Sequence, residues 1–284
     1  DSVITTEYTT LAPIDYFQTN IQKITSIKTY DYDTYIGLPS LITNTNSNSD
    51  ELYKTYFKYP SHGLNLNNLN STDLNCYSNL YYRNIISSPV QKENYLFNKN
   101  SMLDSVKIST ERSLYNSLGL VRSIMNSFGN NELEDNVVYH SYNSREFPTE
   151  LSKKDGIRIS YLWGYNNEYP VAKITNASLS SVFYESFEDI VLYDRWNSSG
   201  SGNKDLTHNN SWTGNNCLKF SGATTAWSGV SSKYLLNVTP GKTYVLSCWY
   251  KALPGKYAFV NLYDASNNKS HTLMKEGSGE WEYL

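Results

Sequence analysis

A short motif of an aromatic residue, an Asp or Asn, and a tight turn recurs along the first 180 residues. It occupies residues 32–39, 97–103, 115–121, 142–148 and 165–171. Asp and Asn side chains can accept hydrogen bonds from backbone N–H groups two residues on, and glycine adopts the left-handed conformation without strain. Each copy, flanked by alternating polar and apolar residues, therefore predicts a β-hairpin. In the copy at 142–148, Glu146 stands where glycine is expected.

The spacing of the copies predicts how the hairpins associate. The last three copies begin at Tyr115, Tyr142 and Tyr165, at intervals in the twenties, and Asp155-Gly156 adds a further hairpin-turn signal. One hairpin alone is marginal in water, so each must pack against its neighbour. The chain has 26 Tyr, and such rings suit half-buried sheet surfaces. We therefore expect a β-hairpin array that forms an extended sheet or a spiral shell.

Two segments within this array need separate treatment. Apolar residues at 114, 118, 121, 125 and 128 are close to helical spacing, so residues 111–128 could form an amphipathic helix. Gly119 and the Ser and Asn residues in that window favour the hairpin instead. Residues 61–80, rich in Asn and Ser, are expected to form a loop.

The character of the sequence changes near residue 183. Five of the six Trp follow this point, and Ser-Gly-rich loops replace the tyrosine motif. Residues 217–220, 243–250 and 257–263 are predicted strands, with turns at Pro240-Gly241 and Pro254-Gly255. Short strands separated by regular turns, without helices, predict a β-sandwich. Trp249 lies in the most apolar of these strands and is expected in the core.

Composition and motifs argue against several functions. The net charge is −3 without a basic stripe, which argues against nucleic acid as a partner. No apolar stretch is long enough for a membrane span. The four His lie far apart, and neither a metalloprotease helix motif nor a serine-hydrolase elbow is present. Cys217 and Cys248 could be free buried thiols or a disulfide. We expect a non-enzymatic, all-β chain.

Several segments carry a family resemblance. Residues 159–174, ISYLWGYNNEYPVAKI, residues 32–46, and residues 81–90 resemble signatures of bacterial RHS/YD-repeat proteins. The resemblance covers about residues 1–179. It implies an exported bacterial cell-surface protein, similar to the gliding-motility adhesins that leave the cell by type IX secretion. The partners it implies are the secretion machinery and other parts of the same large polypeptide.

The second half carries a different resemblance. Residues 183–188, FYESFE, and residues 241–250, GKTYVLSCWY, resemble carbohydrate-binding-module-like jelly rolls. This resemblance implies a β-sandwich over residues 183–284, which we expect to be incomplete in this sequence. It also implies cell-surface or extracellular glycans as partners.

Candidate site residues follow from the chemistry of sugar binding. The apolar face of a pyranose stacks on a flat, exposed aromatic ring. Trp196, Trp212 and Trp227 lie in polar, loop-like segments and are the candidate glycan-binding residues. Glu185 and Glu188, beside the first strand, are candidate ligands of a structural calcium ion, since related sandwiches often hold one there. No other cofactor is predicted.

The sequence thus predicts an extracellular scaffold for adhesion, built from YD hairpins and followed by a sandwich that binds glycan. The alternative is the wall of a YD-repeat shell that encloses a C-terminal toxin. A glycoside hydrolase would need two carboxylates on one face of the site. Glu185 and Glu188 lie three residues apart, which places them on opposite faces of a strand.

Overall fold

The computed structural model describes residues 2–10, 21–47, 50–189, 192–222, 227–264, 266 and 269–284. The chain divides into two compact units, residues 1–160 and residues 161–284. Both are built mainly from antiparallel strands. No helix among the described residues is long and apolar enough to span a bilayer.

The first unit is an antiparallel sheet whose strands follow one another in chain order. Each strand pairs with the next one along the chain. The strands are β1 Ser2–Thr10, β2 Ile21–Tyr32, β3 Pro39–Asn46, β4 Glu51–Lys58, β5 Gln91–Asn98, β6 Ser101–Tyr115, β7 Val121–Phe128, β8 Glu134–Tyr142, β9 Pro148–Lys153 and β10 Arg158–Gly164, the last of which continues into the second unit.

The predicted hairpins are confirmed, and the Asx side chains hold their turns. Between β6 and β7, Asn116 Oδ1 accepts hydrogen bonds from the N–H groups of Leu118 and Leu120, both at 3.0 Å. The Asn116 N–H donates to Leu120 O at 2.8 Å, which closes the turn, and Gly119 takes the left-handed position with φ 80°. The hairpin interpretation of residues 111–128 is therefore correct, and the helix alternative is wrong.

The turn between β8 and β9 repeats this geometry. Asn143 Oδ1 accepts from the N–H groups of Arg145 and Phe147 at 2.9 and 3.0 Å, and the Asn143 N–H donates to Phe147 O at 2.8 Å. Glu146 occupies the position of Gly119, with φ 66°. An L-residue in the left-handed region is strained by contact between its Cβ and the following carbonyl.

Replacing Glu146 with glycine is expected to stabilise the first unit. Relief of the left-handed strain, about 1–2 kcal/mol, exceeds the extra chain entropy of glycine, about 0.5–1 kcal/mol. We expect a net gain of about 0.5 kcal/mol in the free energy of unfolding, measured by urea denaturation. Gly119→Ala is the matched control and should have the opposite sign, since its Cβ would also lie 3.1 Å from Leu80 Cδ2. Equal effects of both changes would contradict this account.

The expectation of a loop over residues 61–80 is wrong. Residues Pro60–Asn65 form a 3-10 helix, and Ser71–Tyr82 form helix α1. Asn70 caps α1, because its side chain accepts a hydrogen bond from the Asp73 N–H at 2.8 Å. The Asp73 carboxylate lies in the first turn, where the helix dipole favours negative charge, and pairs with Arg122 at 2.8 Å.

Helix α1 packs one face against the sheet and forms the core of the first unit. Tyr77 is fully buried, and its hydroxyl donates to Ser113 O at 2.8 Å. Its ring meets Tyr115 edge-on, with centroids 6.2 Å apart. The buried core comprises Leu66, Cys76, Tyr77, Leu80, Val90, Leu114 and Tyr115.

The second unit begins within β10 and continues as pairs of short strands. The turn after β10 places Asn166 and Asn167 at positive φ, as the Asx-rich motif predicts, and it also places Tyr165 there, which the motif does not predict. Antiparallel pairs join β12 to β15, β13 to β14, β16 to β19 and β17 to β18. The strands are β11 Tyr169–Thr175, β12 Trp196–Gly200, β13 Asn203–His208, β14 Asn216–Ser221, β15 Ser228–Ser232, β16 Trp249–Lys251, β17 Tyr257–Tyr263, β18 Lys269–Glu276 and β19 Trp281–Tyr283.

Two expectations for this unit are wrong in detail. The described part of the unit contains a 3-10 turn over Leu179–Ser181 and a helical turn, α2, over Leu192–Arg195. The long strand predicted over residues 243–250 is reduced to β16, and residues 243–248, all of them described, form no assigned strand. Val245 is 89% exposed, so the apolar pattern there does not mark a buried strand. The two predicted Pro-Gly turns are confirmed by hydrogen bonds from Lys242 to Thr239 and from Lys256 to Leu253.

Candidate functional site

Three exposed aromatic rings come together in the second unit. Trp212 and Trp249 stack with centroids 4.3 Å apart and ring planes 21° apart, and Tyr283 lies 5.3 Å from Trp249. The three side chains are 51%, 44% and 56% exposed. We call Trp212, Trp249 and Tyr283 the aromatic platform. Each indole covers one face of the other. A ligand could therefore contact only the parts of the two rings that remain exposed.

The pairing of β16 with β19 places two of these rings side by side. Trp249 is the register partner of Tyr283, and Tyr250 is the partner of Glu282. Side chains alternate between the two faces of a strand pair, so Tyr250 and Glu282 point away from the platform. Tyr250 is buried, and its hydroxyl donates to Glu276 O and to Glu282 Oε2, each at 3.1 Å. The strand pair is thus anchored on one face and carries its aromatic rings on the other.

The surroundings of Glu282 keep its carboxylate charged. Hydrogen bonds from Ser278 and then from Lys275, which lies 2.9 Å from the carboxylate, lower the pKa of Glu282 to about 2. Burial raises the pKa of the Tyr250 hydroxyl. At neutral pH the Glu282 carboxylate is therefore an acceptor and the Tyr250 hydroxyl a donor, which suits their contact.

Trp212 belongs to a loop between β13 and β14 that Glu188 holds in place. Glu188 Oε1 accepts hydrogen bonds from the N–H groups of Asn215 and Asn216, both at 2.8 Å. The loop is closed by the Asn209 N–H, which donates to Asn215 O at 2.8 Å. Gly214 has φ 72°, and a Cβ there would overlap the Glu188 carboxylate. Glu188 thus fixes the loop from which Trp212 reaches Trp249.

Glu185, the other carboxylate singled out from the sequence, has protein partners of its own. Its side chain is only 5% exposed; Oε1 accepts from the Phe187 N–H at 2.9 Å, and Oε2 lies 3.4 Å from Arg195 Nη1. Calcium takes about six to eight oxygen ligands, and the Arg195 guanidinium would repel a cation here. No group of three or more His, Cys, Asp or Glu side chains gathers in the described part of the chain. The arrangement of Glu185 and Glu188 therefore gives no support to calcium binding, which stays an untested prediction.

The other two predicted tryptophans have different surroundings. Trp196 is half-buried beside Phe183 and Phe187, with centroids 5.5 and 6.0 Å away, and its Nε1 is buried without a hydrogen-bond partner among the described atoms. Trp227 is 45% exposed and packs against Gly200, whose missing Cβ makes room for it. Neither ring has a described contact with the platform.

A buried lysine supports the loop beneath Trp227. Lys204 is 5% exposed, and its ammonium donates to the carbonyls of Gly200, Ser201 and Gly202 at 3.2, 3.2 and 3.0 Å. Three charge-assisted hydrogen bonds fix the turn between β12 and β13. Trp227 therefore rests on a well-defined backbone.

Sequence reasoning missed Trp249 and Tyr283 as platform residues. Trp249 was expected in the core because its neighbours are apolar, yet it is 44% exposed. The alternation in Trp249-Tyr250-Lys251 and Trp281-Glu282-Tyr283 contained the signal, since only one face of such a pair can be buried. Cys217 and Cys248 are free thiols in the structure, so the disulfide alternative is not realised there.

Comparison with known proteins gives one family match, and it falls in the second unit. Residues 179–284 match a family described as Carbohydrate binding domain. No curated protein matches the chain. Residues 179–284 therefore contain a carbohydrate-binding domain, and the aromatic platform lies within that range.

Proposed function

We propose that this chain is a non-enzymatic, glycan-binding segment of a secreted bacterial cell-surface protein. The observation that carries the proposal is the stack of Trp212 on Trp249, with Tyr283 beside it, inside a carbohydrate-binding domain. Flat exposed rings fit the apolar face of a pyranose, and the domain match is independent of that geometry.

Polar side chains near the platform can form hydrogen bonds with the hydroxyl groups of a sugar. Asn209, Asn210 and Thr213, in the loop that carries Trp212, are exposed. Amide and hydroxyl groups can both donate to and accept from sugar hydroxyls. Glu188 limits the motion of this loop, so less conformational entropy is lost when a ligand binds.

The adhesion part of the proposal rests on the first unit. Its hairpins, with Asx side chains bonded across the turns, support the resemblance to RHS/YD-repeat proteins. In that setting the sheet is a scaffold at the bacterial cell surface, exported by type IX secretion and joined to other parts of the same polypeptide. The alternative, the wall of a toxin-enclosing shell, would use the same hairpins, but it gives the aromatic platform no role. We therefore favour adhesion.

Glycan binding by the platform is tested with a glycan array and calorimetry on the full chain. We expect at least one glycan to bind, and Trp212→Ala or Trp249→Ala to lower the affinity about five- to tenfold each. Tyr263→Ala is the matched control, because Tyr263 is 54% exposed in the same unit and lies on β17. Bound glycan should be recovered intact, as a non-enzymatic site requires.

The site assignment and the function can fail separately. An array without any hit would remove glycan binding altogether. Binding that survives both platform variants but is lost in Trp227→Ala would keep the function and move the site to Trp227.

A further inference from the structure

A second candidate binding site lies in the first unit, which the family match does not include. A groove of about 440 Å³ runs across one face of strands β4 to β7. Its volume is within the range of small-molecule sites, about 300–1,000 Å³. We call it the sheet groove. Its floor consists of two rows of side chains that cross the four strands.

The first row is a chain of hydrogen bonds that ends on an exposed ring. Thr55 Oγ1 donates to Asn94 Oδ1 at 2.8 Å, and Asn94 Nδ2 donates to Ser109 Oγ at 3.0 Å. Ser109 pairs in register with Phe128, whose side chain is 73% exposed. The row therefore offers hydroxyl and amide groups beside an unshielded phenyl ring.

The second row contains a matched charge pair and an unsatisfied amide. Phe57 is the register partner of Lys92, and Lys92 Nζ lies 3.3 Å from Glu111 Oε1. Glu111 pairs in register with Asn126, whose Oδ1 is buried and has no hydrogen-bond partner within the described protein. A buried acceptor without a donor is costly. Rotation of the Asn126 side chain toward the groove would let a ligand hydroxyl satisfy it.

Helix α1 leaves this face of the sheet open. The helix packs on Leu114, and strand alternation places Leu114 on the face opposite Glu111. The two rows are therefore not part of the core that α1 forms with the sheet.

We infer that the sheet groove binds a short, neutral oligosaccharide. Lys92 and Glu111 neutralise each other, so the floor has no net charge to attract an ion. Thr55, Asn94 and Ser109 offer groups that both donate and accept, which suits a ligand covered with hydroxyls. Phe57 and Phe128 stand at opposite ends of the two rows and supply ring faces for the apolar side of a sugar.

The test uses the full chain with ¹³C-labelled phenylalanine and NMR titration with maltotriose, cellotriose and chitobiose. At least one of these should shift the signals of Phe57 and Phe128. Phe128→Ala and Asn126→Ala should each weaken that binding about fivefold or more. Tyr82→Ala is the control, since Tyr82 is 84% exposed on α1 and should bind as the unchanged chain does.

The titration is repeated in a Trp212→Ala/Trp249→Ala chain, which separates the groove from the aromatic platform. Binding that persists there and is lost with Phe128→Ala supports the groove, whatever happens to the platform. No shift at Phe57 and Phe128 with any of the three sugars overturns the inference. Signal shifts that depend on protein concentration alone would also overturn the inference, because they would mean that a second copy of the chain covers the groove.

Discussion

Truncation of one tyrosine, Tyr77→Ala, is expected to cost the first unit about 3–5 kcal/mol of unfolding free energy. Tyr77 is fully buried, packs edge-on against Tyr115, and bonds Ser113 O through its hydroxyl. The change would leave a cavity between α1 and the sheet and an unpaired carbonyl. Burial also raises the pKa of the Tyr77 hydroxyl far above its usual value, so it remains a neutral donor at any physiological pH.

Hydrogen exchange read by mass spectrometry on peptides from β6 measures this effect locally, which suits a chain of two units. Tyr82→Ala on the same helix is the matched control, since Tyr82 is 84% exposed, and should cost less than about 0.5 kcal/mol. Tyr77→Phe should cost about 1 kcal/mol by removing only the hydrogen bond. A similar loss of protection in Tyr77→Ala and Tyr82→Ala would mean that α1 does not hold the sheet.

Helix α1 also shows why the sequence predicted the sheet better than its core. The hairpin turns are local, because Asn116 and Asn143 bond backbone groups two and four residues away. The helical segment STDLNCYSNLYY is rich in residues of low helix propensity. Its stability comes from the Asn70 cap and from packing on Leu114, a contact between distant parts of the chain. Tertiary packing overrides propensity there.

The candidate site, too, could be predicted from the sequence only in part. The polar context of Trp212 predicted an exposed ring, and the structure has one. The stack of Trp212 on Trp249 joins residues that are far apart in the chain, and Tyr283 lies beside Trp249 because β16 pairs with β19. The role of Glu188 likewise depends on its approach to Asn215 and Asn216. Local alternation indicates which face of each strand is exposed, but it does not indicate which distant residues meet there.

In the second unit, we expect Gly277→Ala to cost about 3 kcal/mol or more. Gly277 is buried; its N–H donates to Lys256 O at 2.8 Å, and an added Cβ would overlap the Ala252 carbonyl and lie 2.6 Å from Ala252 Cβ. The obstructing atoms belong largely to backbone, which cannot rotate away as a long side chain can. To relieve this overlap, the end of β18 has to move away from the residues that follow β16.

The same change should impair the aromatic platform, since Ala252 directly follows the strand that carries Trp249. Chemical denaturation and glycan titration of one preparation measure both effects. Gly229→Ala is the control: the nearest atoms to its added Cβ belong to Trp227, at 3.9 Å, so it should change stability by no more than about 0.5 kcal/mol. Wild-type stability in Gly277→Ala would show that β16 and β18 are not packed as described. A destabilised variant that still binds glycan with full affinity would instead show that the platform tolerates movement of β16, and that Trp212 is held mainly by Glu188.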